Sequence, residues 1–217
     1  MIRVVVVDDE ALVRSGFALI LGAAADIDVV ATATGGEAVT AVREHQPDVV
    51  LLDIRMPDVD GLTVLGLLRQ LDDPPIVAML TTFDADEYVL AALDRGAAGF
   101  LLKDTEPEHL AQLVRTLAAG GVVMSPKASR TLLRTLPRTS ALDGDLERVE
   151  RLTGRERDVL VLLAQGLSNA EIGVRLHLGT GTVKDHVSAL LTKLRVSGRV
   201  QAALLAQRAG LLETKRS

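Results

Sequence analysis

The chain has 217 residues, with 24 Lys+Arg against 29 Asp+Glu, 48% apolar residues and no cysteine. That length and apolar share suffice to bury one sizeable core or two small ones, which excludes disordered and fibrous classes. The lack of cysteine removes disulfide frameworks, thiol catalysis and thiolate metal sites, in keeping with a reducing compartment. The longest apolar run, residues 16–25, is ten residues long, well short of the roughly 20 that a membrane-spanning helix needs. The opening MIRVVVVDDE has acids where an export signal would keep an apolar stretch and a small-residue cleavage site. A cytoplasmic chain with no membrane partner is expected.

The formal net charge of −5 is an average over unlike halves. Residues 1–124 hold 8 basic and 20 acidic side chains, a net of −12, whereas residues 125–217 hold 16 and 9, a net of +7. Such asymmetry points to nucleic acid contact in the basic half, although a solvated basic face would look the same.

In chain order, strand-like apolar runs fall at Val4–Val7, Val29–Thr32, Val49–Leu52, Ile76–Leu80 and Gly99–Leu102, each too short for a helix. Helical stretches alternate with them near 11–23, 35–45, 61–71, 85–95 and 107–119. In the first of these, Val13, Phe17, Ile20, Leu21 and Ala24 share one face. Five βα units predict a doubly wound α/β domain with a five-stranded parallel sheet, its functional groups gathered at the carboxyl ends of the strands. Residues 121–148, with Pro126, Pro137 and Gly144 and a short apolar patch at Leu132, Leu133 and Leu136, read as a linker. Beyond it, four helices near 154–165, 168–176, 181–195 and 197–209 predict a small all-α domain.

Asp8 and Asp9 follow the first strand and Asp53 ends the third. If those strands are neighbours, three carboxylates meet, and a proton or a cation must offset their repulsion. Oxygen-only ligands favour Mg²⁺. The alternative is that the acids merely cap the following helices. Thr81 and Lys103, at the ends of the fourth and fifth strands, bring a hydroxyl and an ammonium to the same edge. Phosphoryl transfer to an Asp needs such a set, because the protein's work is positioning and charge neutralisation.

The segments VVDDE, LLDIRMPDVDG, LTTFD and GFLLKD resemble, in order, the receiver domain of bacterial two-component response regulators, over residues 1–120. The resemblance implies that Asp53 accepts phosphate from a sensor histidine kinase and that Asp8, Asp9, Asp53 and the backbone carbonyl of Arg55 surround Mg²⁺. It implies further that Thr81 and Lys103 hold the phosphoryl group, that Phe100 takes the place of the family's mobile aromatic, and that Pro57 and Gly61 shape the loop after Asp53.

In the basic half, Ser168 is placed to cap one helix, Gly179–Gly181 to turn, and a second helix to begin at about Thr182. Val183, Val187, Leu190 and Leu194 share its inner face, and Lys184, Asp185, Ser188 and Thr192 its outer one. This is a helix-turn-helix pattern, although a plain four-helix bundle would also satisfy it. The runs LTGRERDVL, GLSNAEI and GTVKDHVSALLTKL resemble the LuxR-type DNA-binding domain, over residues 149–214. Behind a receiver, they make the chain similar to the NarL/FixJ class of response regulators.

That resemblance implies a helix-turn-helix over about Asn169–Ser188, with Thr182, Lys184, Asp185, Ser188 and Thr192 towards promoter DNA. It also implies a homodimer formed on phosphorylation, with Val200, Ala203 and Leu204 on the dimerisation helix. Gly179 replaces a common Ser cap, leaving Thr180 as the expected substitute. Asp185 can accept from cytosine N4, so a C is expected in each half-site.

Regulation is expected to be mutual occlusion, the acidic receiver lying against the basic domain until phosphorylation frees it. Two other readings remain. One is a constitutive DNA-binding regulator whose receiver only dimerises. The other is a Mg²⁺-dependent aspartyl-phosphate phosphatase, which usually wants an acid two residues after its nucleophile, where this chain has Arg55. His45, His109, His177 and His186 have no metal-ligand spacing and read as surface or packing residues.

Overall fold

The computed structural model describes residues 1–81, 86–125, 128 and 142–212. The expected strands form β1 (Ile2–Val7), β2 (Ile27–Ala33), β3 (Val49–Asp53), β4 (Ile76–Thr81) and β5 (Gly99–Leu102). A sixth, β6 (Val123–Met124), pairs with β5, so the sheet has six parallel strands in the order β2-β1-β3-β4-β5-β6. The five-stranded expectation is corrected by β6, whose two residues are too short to show any periodicity in the sequence.

Both faces of the sheet are covered by helices: α1 (Ala11–Gly22), α2 (Ala38–His45), α3 (Gly61–Leu68), α4 (Asp86–Asp94) and α5 (Pro107–Ala118). Val4 to Val7 are fully buried and alternate between two cores. Val4 and Val6 join Phe17, Leu21, Leu110, Val114 and Leu117 from α1 and α5. Val5 and Val7 join Val42, Val64, Leu65, Val89 and Phe100 on the α2–α4 side. Burial on both faces is why these runs are continuous rather than alternating. α2 starts at Ala38 instead of residue 35, because the Thr34 amide donates to Glu37 Oε2 at 3.0 Å and the intervening Gly35 and Gly36 belong to that turn.

The helical domain contains α6 (Leu142–Glu150), α7 (Gly154–Ala164), α8 (Asn169–Leu176), α9 (Thr180–Leu194) and α10 (Arg199–Arg208). Its core gathers Val149, Val159, Leu160, Ile172, Val183, Leu190, Leu194, Ala202 and Leu205. The stretch expected as a linker therefore holds β6 at its start and α6 at its end, and Asp145 of α6 accepts from Arg208 Nε at 2.7 Å. The apolar patch at Leu132, Leu133 and Leu136 lies outside the described residues, as do Thr82, Phe83 and Asp84 of the LTTFD segment. No helix among the described residues is long and apolar enough to cross a membrane.

The two domains touch. The expected attraction of opposite charges is represented, among the described residues, by the exposed pair Lys184–Asp73 at 3.6 Å. The other polar contacts between the domains among the described residues pair a charged side chain with an uncharged partner, as Asp94 with Gln201, or join backbone to backbone, as the Asn169 amide donating to the Ala119 carbonyl at 2.9 Å.

Candidate functional site

β1 and β3 are neighbours with Val7 opposite Leu52, so the residues that follow emerge side by side at the crevice where the strand order switches. Asp8 is fully buried, Asp53 is 4% exposed and Asp9 is half-buried. One carboxylate oxygen from each lies within 4.8 Å of the others, which is metal-site spacing. The reading of these acids as mere helix caps fails for α1: its cap residue is Glu10, with no side-chain cap bond, and Asp8 Oδ1 accepts from the Glu10 amide before the helix begins.

Lys103 follows β5 and brings Nζ to 2.9 Å from Asp8 Oδ2, 3.1 Å from Asp53 Oδ2 and 3.7 Å from Glu10 Oε1. Burial opposes the charge on Lys103, but pairing with Asp8 and Asp53 outweighs it and holds the ammonium above the ordinary lysine value. Burial lifts the Asp53 carboxyl to about 6, Lys103 countering and Asp8 reinforcing the rise. Asp8 Oδ2 receives no well-directed hydrogen bond although it is buried. A buried oxygen with unused lone pairs, inside an all-oxygen set, fits a hard divalent cation.

Thr81 ends β4 beside Leu102, is buried, and accepts from the Lys103 amide through its backbone carbonyl at 2.9 Å. Phe100 is packed among the α2–α4 side chains, 1% exposed. Gly61 opens α3 so close to the acceptor strand that a Cβ would sit 2.0 Å from the Asp53 carbonyl oxygen, and its amide donates to Ile54. The short loop after Asp53 thus requires glycine at that position.

Two side chains escaped the sequence reading. Arg14 of α1 donates from Nη1 to the carbonyls of Asp8 at 2.7 Å and Asp9 at 3.0 Å, clamping the acidic loop. The guanidinium of Arg55 lies 5.3 Å from the centre of the Tyr88 ring on α4, a cation–π contact that ties the loop after Asp53 to that helix. Arg14 stands one turn into α1, a signal that could have been read; the pairing of Arg55 with Tyr88 spans 33 positions and could not.

In the helical domain, Ser168 caps α8 with Glu171 in a reciprocal box, as expected. α9 begins at Thr180, so Thr180 lies inside the helix rather than capping it. Gly179 is the cap residue and offers no side-chain bond. Val183, Leu190 and Leu194 are buried and Val187 is partly so, while Thr182, Lys184, Asp185, Ser188 and Thr192 are all exposed on the outer side. The structure brings these five together on one helix and keeps them apart from the carboxylate cluster. On α10, Val200 and Leu204 pack against the receiver, and Ala203 against its own domain. His109 and His177 are exposed, and His45 and His186 are half-exposed.

Comparison with known proteins identifies both domains. Residues 4–115 match the response regulator receiver domain, and residues 150–206 match the bacterial regulatory proteins of the luxR family. The transcriptional regulatory protein LnrK of Bacillus subtilis is 38% identical over 218 residues, covering 97% of this chain and 99% of its own length. The nitrate/nitrite response regulator protein NarL of Escherichia coli is 39% identical over 203 residues, 93% of each chain. The crystal structure of the response regulator ChrA, from a heme-sensing two-component system, aligns over 97% of this chain and 98% of its own, with a TM-score of 0.52 and 34% identity. With the acidic edge on a receiver fold and the exposed helix on a LuxR-type domain, the chain belongs to the NarL/LuxR family of response regulators and is a DNA-binding transcription regulator of a two-component system.

Proposed function

We propose that Asp53 accepts a phosphoryl group from a sensor histidine kinase in the cytoplasm, and that the phosphorylated chain then binds promoter DNA as a homodimer. A carboxylate oxygen of Asp53 attacks phosphorus, the bond from phosphorus to the kinase histidine breaks, and the imidazole leaves neutral, its other ring nitrogen carrying a proton taken from water. Asp8, Asp9, Asp53 and the Arg55 carbonyl would hold Mg²⁺, which when bound neutralises charge on the phosphoryl oxygens. Lys103 supplies the fixed positive charge and the Thr81 hydroxyl a donor to the new phosphate. With its pKa at about 6, Asp53 is mostly ionised at neutral pH and able to act as the nucleophile. The observation that carries this reading is the position of Lys103 Nζ between Asp8 and Asp53 at the carboxyl edge of the sheet.

α9 is read as the helix that enters the major groove. Lys184 serves a phosphate or a guanine, Asp185 accepts from cytosine N4, and Thr182, Ser188 and Thr192 complete the polar face. Asp53→Asn is expected to abolish labelling by acetyl phosphate with Mg²⁺ and to remove any gain in DNA affinity on adding the phosphodonor. Persistent labelling of that variant would overturn the assignment. Equal DNA binding with and without phosphodonor in the unmodified chain would favour constitutive binding.

A further inference from the structure

The three acids of the site are not held alike. Asp53 ends β3, and Asp8 extends the line of β1, its amide donating to the Ala33 carbonyl at 3.1 Å. Lys103 pairs with both of their carboxylates. Asp9 lies past the strand and before α1, half-buried, and among the described residues its carboxylate makes no ion pair and accepts no hydrogen bond. Its backbone is what is fixed. Arg14 Nη1 donates to the Asp8 carbonyl at 2.7 Å and to the Asp9 carbonyl at 3.0 Å. Those carbonyls belong to the two peptide planes that flank the Asp9 Cα, and holding both planes fixes the direction in which the side chain leaves the backbone.

The helix that carries Arg14 does not explain it. Helical side chains lean toward the N-terminus, so Arg14, one turn into α1, lays its guanidinium back over the start of the helix. A cation there opposes the helix macrodipole. The first turn of α1 has no acid to offset it, and the cap residue Glu10 contributes no side-chain bond. The two carbonyls before the helix are what the half-buried guanidinium serves. Its charge and its geometry act in opposite directions on a divalent cation at Asp8, Asp9 and Asp53. A fixed positive charge nearby repels the ion, whereas a fixed Asp9 welcomes it.

We propose that Arg14 is a positioning residue of the divalent-cation site: by holding the peptide planes on either side of Asp9, it keeps that carboxylate turned toward Asp8 and Asp53 before the ion arrives, and so sets the affinity for Mg²⁺. The proposal rests on the phosphoryl-transfer reading above. Without the clamp, repulsion from Asp8 and Asp53 turns the Asp9 carboxylate out to solvent, and ion binding must first restore the loop. Once the ion is bound, the arrangement is the same with or without Arg14. Arginine suits the task because a terminal guanidinium nitrogen carries two hydrogens in fixed, diverging directions, one for each carbonyl. Lysine keeps the charge but loses that fork.

Titration calorimetry of full-length chains with MgCl₂ at constant ionic strength gives the affinity, and labelling by acetyl phosphate over the same range of Mg²⁺ gives the rate. Arg14→Met keeps the alkyl stem and removes both clamp and charge. It is expected to bind Mg²⁺ about tenfold more weakly, the effect usual for groups that orient metal ligands. Its labelling rate at saturating Mg²⁺ and its far-UV circular dichroism should match the wild type, which separates loss of affinity from loss of rate. Arg115→Ala removes the same charge from an exposed pair with Asp26 and is expected to bind Mg²⁺ as the wild type does.

Tighter or unchanged Mg²⁺ binding by Arg14→Met would overturn the proposal, since that is what loss of a repelling charge alone produces. So would a lower labelling rate at saturating Mg²⁺ with wild-type affinity. If Arg14→Met does not fold, Arg14→Lys carries the test: the clamp requires weaker binding, and wild-type affinity would refute it. A wild type that neither binds Mg²⁺ nor labels at Asp53 brings down the underlying reading. A wild type that does both, matched by Arg14→Met, brings down the positioning role alone.

Discussion

At the carboxyl edge of the sheet, Lys103 Nζ stands 2.9 Å from Asp8 and 3.1 Å from Asp53, and the burial of both carboxylates, with Lys103 half-buried between them, makes each depend on the others. Removing one partner of a buried ion pair costs more than the pair's net worth, because the remaining charge is stranded. Lys103→Ala is expected to lower the stability of the metal-free chain by about 2 kcal/mol, less than a stranded pair at its worst because Asp53 can take up a proton. Added Mg²⁺ should then recover more stability than it does in the wild type. Urea unfolding with and without Mg²⁺ checks this, and an unchanged midpoint would mean that Lys103 carries no stability. The five residues Asp8, Asp9, Asp53, Thr81 and Lys103 were legible in the sequence because each follows or ends a strand, and parallel topology sends all strand ends to one edge. Arg14 was readable from its place one turn into α1 and was passed over, whereas the contact between Arg55 and Tyr88 joins a loop to a distant helix through side-chain reach, which no pattern of hydrophobicity records.

Among the elements, side-chain caps fix the starts of α7 and α8, whereas α1 and α5 begin where the periodicity places them with no side-chain cap bond. Thr153 and Glu156 form a reciprocal cap on α7, and Glu156 is also held by Lys193 of α9 at 2.7 Å. Burial alone would raise the Glu156 carboxyl, but Lys193 and the Thr153 amide outweigh it and pull it below the usual glutamate value. A depressed folded-state value means the unfolded chain binds more protons in acid, so this contribution is present above about pH 4.5 and is lost as pH falls through that region. Glu156→Gln is expected to cost about 1 kcal/mol near neutrality, through the weakened cap and lost ion pair. It should also flatten the fall in Tm between about pH 5 and pH 3. Thermal melts of the full chain across that range test it; parallel curves for variant and wild type would exclude Glu156 as a source of acid lability. β6 and the start of α2 were misjudged for the opposite reason: a two-residue strand and a Gly-Gly turn carry no period to read.

Over the whole molecule, the split into an acidic and a basic half suggested domains held by charge. The structure instead closes them by glycine contacts at Gly96, Gly120 and Gly198, by polar contacts of Arg69, Asp94, Gln201 and Asn169, and by Val200 entering the receiver core. The pair Lys184–Asp73 is exposed at both ends, and such pairs are weak and screened by salt. The compact form of the unphosphorylated chain is therefore expected to persist when NaCl rises to roughly 0.5 M, where surface charges are screened within a few ångströms. Small-angle scattering in low and high salt checks this; expansion in high salt would restore charge as the binding force.

The two domain types, the order of nearly all strands and helices, the acidic edge and the polar face of α9 can be read along the chain. These follow from local periodicity and from the rule that parallel strands end together. Long-range packing alone places Val200 and Leu204 against the receiver, buries Asp8 Oδ2 without a directed hydrogen bond, and sets α4 between Arg55 at one end and Gln201 at the other. An apolar stripe states that a surface must be covered, whereas the identity of what covers it depends on how distant surfaces fit, and that fit has no period along the chain.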